Sequence, residues 1–591
     1  MQGWGIIEIM ASNKSIAEIL YDIAEYLNMD NVPFKPRAYE KAAEVIEGLE
    51  EDVSEIYRKG GLKALENIPG IGISIAEKIE EFIKTGKVKY YEELKKKMPV
   101  DMDSLRKVEG LGPQSIKKLY EKLGIRTVED LKKAAEGQKI RALEGFGEKS
   151  EEKILKSLGF LEKSSGRFIL GFVMSEVEEI AKRIQSQKGV EKAIVAGSVR
   201  RMKETIGDAD ILVVAKNAKP VMDYFVRMPE VVKVTAHGET KSAVKLKSGL
   251  NVDLRIVPRE SYGAALNYFT GSKAHNIALR EIAVKHGMKL NEYGLFKIKN
   301  KKETFVAGRT EEELYKALGL HYIEPEMRED TGEIELAREN KLPKLIGYRD
   351  LKGDLQVQTN WTDGSDSIET MAREAMKQGL EYIVITDHTK RLAMTGGLDE
   401  KRMKKQMEEV DKVNKKLKSE GKRMTVLKGS ECDILKDGTL DLPDSILSQL
   451  DVVGASVHSY FNLSREEQTE RIKRAMDNKN VDIIFHPTGR VIQRREAYDV
   501  DMDELIRHAK RTGTILEIDA LPERADLKDE YIRKCVAAGV KMSIDSDAHT
   551  PGHFQILRYG IAEARRGFAE RKDIINAWPL AKMRKLLKNH H

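Results

Sequence analysis

Apolar side chains recur at helical spacing near the start of the chain: Ile16, Ile19, Leu20, Ile23 and Leu27 fall on one face at intervals of three and four. Residues 12–95 therefore predict a bundle of amphipathic helices punctuated by Gly and Pro. Three short segments then repeat one pattern: IPGIG at 68–72, VEGLG at 108–112 and LEGFG at 143–147. Each follows an apolar helix end and precedes a Lys/Glu-rich helix, and 96–165 reads as their domain. From 166 to 258 the period shortens to two, and AIVAGS, DADILVVA and NVDLRIV predict strands of a new domain. A mixed stretch, 259–330, follows, and 331–347 reads as a linker with a Pro and little periodicity.

Between 348 and 575 seven apolar runs predict strands: 354–358, 382–388, 425–431, 452–458, 482–487, 515–519 and 541–549. Helical stretches separate them. Such alternation predicts a parallel sheet, and seven units predict a closed or nearly closed barrel. Residues 576–591 read as a basic tail. The fold class expected is thus multidomain, α+β in the first half and α/β in the last third.

At 591 residues the chain exceeds one core and suits roughly three to five domains. No apolar run approaches the roughly 18 residues of a membrane helix. The opening MQGWGIIEIM carries Glu8 and no basic start, which argues against a secretory signal, so a cytoplasmic, membrane-free protein is expected. Two cysteines, Cys432 and Cys535, exclude a disulfide framework and a CxxC zinc pattern. A net charge of +6 over this length is an ordinary solvated surface, and the Lys/Glu-rich composition suits a thermophile.

In each repeat the paired glycines, Gly70 and Gly72, Gly110 and Gly112, Gly145 and Gly147, permit a tight turn just before a helix. Free backbone N–H groups there can face a phosphate. With Lys78, Lys117, Lys118, Lys149 and Lys153 on the following helices, the pattern predicts helix-hairpin-helix contacts to DNA backbone, which carry no base readout.

Chemistry is predicted further on. Gly197-Ser198 precedes Asp208-Ala209-Asp210 in a strand, where residues i and i+2 share a face. Two carboxylates so close are costly unless a cation neutralises them. Asp253, in a second alternating strand, offers a third, and three such groups can hold two divalent ions for phosphoryl transfer. The bland alternative is a solvated turn ending a strand.

The stretch GSVRRMKETIGDAD, followed by VDLRIVPRESYGAALNYFTGSKAHNIALR, resembles the palm and thumb of family X DNA polymerases, the polymerase β-like group, and 12–330 resembles that family throughout. The resemblance implies template-directed nucleotidyl transfer in gap-filling base excision repair, with gapped or primer-template DNA and dNTPs as partners of a monomer. Asp208, Asp210 and Asp253 would bind two Mg2+ (or Mn2+) ions. Ser198, Arg201 and Gly207, beside Gly197, would hold the triphosphate. Tyr268, Phe269 and Gly271 match the YFTG turn beside the incoming sugar, and Asn276 and Arg280 would touch the base and the template side. Asn251 stands where animal relatives often carry arginine. Lys78 matches the lysine that forms a Schiff base with an abasic sugar, with Lys35 and Tyr39 in the same pocket and Ser74 in place of a lysine; a plain phosphate-binding lysine is the alternative.

The last third resembles the PHP phosphoesterase domain appended to bacterial and archaeal members. Metal-type residues gather at strand ends: His388, Glu431, His458, His486, Asp547 and His549. The family opening D-L-H-x-H reads here Asp354-Leu355-Gln356-Val357-Gln358. A glutamine offers only a neutral carbonyl oxygen, so fewer than three Zn2+ or Mn2+ ions and a reduced 3′–5′ exonuclease are expected. One site keeps only Glu431 and Asp547; a second retains Asp363, His388 and His549, and a third Glu431, His458 and His486. Two other readings compete: a phosphoesterase that its N-terminal half delivers to DNA, and a non-catalytic DNA-gap scaffold.

Overall fold

A computed structural model describes residues 13–587, apart from positions 31, 48, 50, 51, 69, 107, 109, 165 and 301. The opening decapeptide and the last four residues of the basic tail lie outside the described residues.

The first helices, Asn13–Met29, Lys35–Glu47, Val53–Glu66 and Ile73–Thr85, form where the apolar spacing predicts them. Ile16, Leu20, Ile23 and Leu27 are buried in a core shared with the helices that follow. The three hairpins adopt one backbone shape. Gly70, Gly110 and Gly145 have φ of 85°, 87° and 83°, a region that side chains resist. Gly72 and Gly112 then cap the helices Ile73–Thr85 and Pro113–Leu123 without a side-chain acceptor, while Ile71 and Leu111 between the glycines are buried. Gly147 precedes the helix Glu148–Ser164 in the same way.

Residues 166–258 build a five-stranded sheet in the order Val190–Val195, Asp208–Ala215, Asn251–Ile256, Lys241–Leu246, Val231–His237. Its central pair, Asp208–Ala215 with Asn251–Ile256, is parallel and the other pairings are antiparallel. Ala209, Ile211 and Val213 point into the core beneath the helices Leu170–Gln185 and Ala218–Val226, so the aspartates between them are turned away from it.

The mixed stretch is a helical layer, Tyr262–Thr270 and Lys273–Lys285, beside a three-stranded antiparallel sheet, Met288–Asn291, Gly294–Lys299 and Lys302–Ala307. The segment read as a linker differs from that expectation. It contains the helix Glu333–Arg338, whose Ile334 and Ala337 join this domain's core. Glu333 is buried 2.7 Å from His275 Nδ1. A buried carboxylate persists only with partners, and His275 with the amides of Asp330 and Thr331 supplies them.

The last third is a parallel sheet of seven strands in sequence order: Gly353–Val357, Tyr382–Ile385, Thr425–Asp433, Val452–Ser456, Ile483–Ile484, Ile515–Asp519 and Met542–Asp545. First and last meet through a Val357–Ala548 bridge, and Gln358 N donates to Ala548 O at 2.8 Å. The barrel is nearly closed. Residues read as a tail extend its core: Trp578, Met583 and Leu587 are buried in it, and Tyr382 donates its hydroxyl to Trp578 O at 2.9 Å. The barrel helix Leu557–Arg566 lies against the first half, with Tyr559 packed on the five-stranded sheet's core and Phe568, just beyond, on the next domain's. No helix among the described residues is long and apolar enough to cross a membrane.

Candidate active sites

The parallel register sets Asp210 directly beside Asp253 and Asp208 beside Asn251. Asp208 is exposed and Asp210 and Asp253 are half-buried, so all three reach solvent. Burial, with Asp208 and Asp253 alongside, pushes the Asp210 carboxyl up to about 6. The tight turn at Gly197, φ 64°, passes so close that a Cβ there would lie 2.6 Å from Asp210 Oδ2. Only glycine fits. Two cations unread in the sequence also stand here: Lys241 Nζ is 2.7 Å from Asp253 Oδ2, and Arg255, stacked 4.6 Å over Phe269, is 3.7 Å from the same oxygen.

Ser198 lies in the turn Gly197–Arg200, and Gly207 leads directly into Asp208. Arg201 donates from Nε to Glu329 at 2.7 Å and from Nη1 to Thr270 O at 2.6 Å. Tyr268 and Phe269 pack edge to face at the end of their helix, 5.1 Å apart. Asn276 spends its amide on that turn, donating to Tyr268 O at 2.7 Å and Gly271 O at 3.1 Å. Arg280 stands exposed one turn further along. The sequence reading also missed a buried tie beneath. Arg200 grips Glu311 at 2.7 and 2.8 Å, Arg328 joins the same carboxylate, and burial is outweighed so that Glu311 falls to about 2.

Lys78 sits in its own small pocket. Its Nζ donates to Ser74 Oγ at 3.1 Å and lies 5.9 Å from the Tyr39 ring and 5.1 Å from the Tyr90 ring, with burial lowering its pKa. Lys35, one turn before Tyr39, is exposed. Tyr90, more than ten residues downstream, had no sequence signal.

In the barrel, Asp363, His388 and His549 converge with ligand atoms all within 4.8 Å, and so do His388, Glu431 and His458. His486 does not join the second trio as closely, but its Nε2 is 2.9 Å from Glu431 Oε1. Burial pushes Glu431 up, yet His388 and His458 outweigh it and hold the carboxyl well below its usual range. His458, in turn, overcomes burial beside Glu431 and Asp433 and rises to about 9. Asp547 is buried, with Oδ1 3.8 Å from His549 Nδ1. The two glutamines behave differently. Gln358 donates its NH2 to Glu431 Oε2 at 3.0 Å, and Gln356 turns its NH2 to Glu517, 3.2 Å from Oε2. Both amides thus direct N–H groups at carboxylates in this corner of the site, and Gln358 Oε1 is left buried without a hydrogen-bond partner.

Family models match along most of the chain. A helix-hairpin-helix domain covers 11–88, a SAM-like helix-hairpin-helix tandem 102–159, the DNA polymerase beta thumb 265–329 and the PHP domain 354–576. Hairpins, a two-strand carboxylate palm, a thumb and a PHP barrel on one chain define a polymerase-type nucleotidyltransferase with an appended phosphoesterase fold. The chain belongs to the PolX family of DNA polymerases: it is 38% identical to the DNA polymerase/3′-5′ exonuclease PolX of Bacillus subtilis, over 98% of this chain and 99% of that one. DNA polymerase lambda of Arabidopsis thaliana is 28% identical across 54% of this chain and 62% of its own. A probable phosphatase of Thermoanaerobacter is 34% identical over 31% of this chain and 72% of its own.

Proposed function

We propose that the chain fills short gaps in DNA during base excision repair, extending a primer 3′-hydroxyl from dNTPs on a template strand. The observation that carries this reading is the register of Asp210 beside Asp253 under the Gly197 turn. These carboxylates would hold Mg2+ or Mn2+, which would stabilise charge on the attacking and departing oxygens. The chain's own part is positional. Asp253 receives the primer hydroxyl, Ser198, Arg201 and Gly207 receive the triphosphate, and Tyr268, Phe269 and Gly271 flank the sugar. Asn276 and Arg280 face the base and template side. The hairpin glycines, Gly70 to Gly147, receive DNA backbone through exposed helix-start amides. Each site is complete within one chain, which suits a monomer, and the setting that fits is the cytoplasm.

Primer extension on gapped DNA tests the reading: Asp208→Ala abolishes synthesis and spares DNA binding, whereas residual synthesis would sink it. Lys78, with its lowered pKa, suits Schiff-base chemistry on an abasic sugar. Borohydride trapping is expected to yield an adduct that Lys78→Ala removes, and an adduct that survives the substitution would discard the assignment.

In the barrel, Asp363, His388 and His549 with Glu431, His458 and His486 suit fewer than three Zn2+ or Mn2+ ions and a reduced 3′–5′ exonuclease.

A further inference from the structure

The barrel helix Leu557–Arg566 ends in two adjacent arginines, both buried against the thumb. Arg565 grips Glu326 at 2.8 Å and the carbonyl of Ile346 at 2.9 Å. Arg566, 3% exposed, reaches the next acidic position of the same thumb segment, Glu329, at 3.5 Å, and the carbonyl of Arg201 at 3.5 Å. It is anchored from behind by Asp529 and by Glu563, whose Oε2 is 3.4 Å from Arg566 Nε. Glu329 is the carboxylate that holds Arg201, and Lys203 also approaches it at 3.8 Å. Burial would raise the Glu329 pKa, but Arg201 and Lys203 reverse that and keep it ionised.

A charged carboxylate that orients one arginine must itself be held, because a long side chain otherwise loses little by swinging away. Arg566 does the holding. Its Nη1 lies 3.5 Å from both Glu329 Oε1 and the Arg201 carbonyl, so one guanidinium end faces both the carboxylate and the main chain of the arginine that carboxylate orients. Arg201 Nη2 has no protein partner among the described residues and is left as the donor edge for a phosphate. We propose that Arg566, a residue of the PHP barrel, is a positioning residue for nucleotide incorporation: it holds Glu329, and through Glu329 it sets Arg201 for the incoming triphosphate. The barrel is then a structural part of the polymerase site. This rests on the reading of Arg201 as a triphosphate ligand.

Steady-state primer extension on the full chain, with dNTP varied, tests it. Arg566→Ala is expected to raise the dNTP KM about tenfold while kcat stays within about twofold. In a Glu329→Gln background the same substitution is expected to raise KM by no more than about twofold, because most of the path runs through that carboxylate. Arg558→Ala, on the same helix as Arg566, cuts the exposed bridge to Glu178 of the helix Leu170–Gln185 and is expected to leave KM unchanged. Should Arg566→Ala fold poorly, Arg566→Lys keeps the charge, loses the forked donor and is expected to raise KM less. An unchanged KM in the folded variants, additivity with Glu329→Gln, or an equal rise in Arg558→Ala would each overturn the proposal. If Arg201→Ala itself leaves KM unchanged, the triphosphate assignment fails instead.

Discussion

The palm and the barrel both gather acidic side chains, and they treat them in opposite ways. In the palm, burial and then the neighbouring carboxylates of Asp208 and Asp253 push the Asp210 pKa up to about 6. In the barrel, Glu431 is more deeply buried, yet three histidines around it hold it ionised. The sign of a shift follows the charge of the neighbours once burial is shared. In the palm, Lys241 and Arg255 offset only part of the repulsion among the three carboxylates, and a divalent ion would relieve the rest. A site of carboxylates and imidazoles is already balanced by protons, which a metal must displace.

Asp210→Asn probes that contrast most strongly. Synthesis is expected to fall by about three orders of magnitude, measured by primer extension. Yet the chelated protein is expected to melt higher at pH 7.5 than the parent. The Asp210 pKa in the fold lies above its ordinary 3.8, so its stabilising contribution exists in the protonated form and is lost as pH rises from about 4 through about 6. Asparagine avoids that loss, and the gap is expected to close in melts at pH 4. A parent that melts higher at both values would contradict the account of palm repulsion.

Gly197→Ala follows, because the added methyl meets Asp210 Oδ2 and a left-handed φ together. A fall of about a hundredfold in kcat is expected, with the barrel's metal content unchanged. A barrel that loses metal in this variant would show that the two sites are not separable. The smallest change is expected from Gln356→His combined with Gln358→His. Metal analysis should find about one more ion per chain, and primer extension should not move. No gain would mean that some other group shuts the third position.

The two halves also differ in how readily their sequences announce them. Asp208 and Asp210 are legible because period two in a strand fixes which side chains share a face, and Asp253 because its own strand alternates the same way. The seven barrel runs are legible because short, largely buried strands alternate regularly with helical stretches, as parallel strands joined by helices require. Lys241, Tyr90 and Arg566 were not, since each reaches its partner by tertiary approach and carries no local period. The stretch 331–347 shows little periodicity, yet its short helix is pinned by Glu333 against His275, a partner far back in the chain. The grouping of His388 with both barrel trios was equally invisible, because ring orientation decides it.

The residues after 576 close the bottom of the barrel, with Trp578 lying over the strand that begins at Tyr382. A chain clipped at 575 would expose that floor to water and hand its apolar strand ends to neighbouring molecules. Such a product should collect as aggregate.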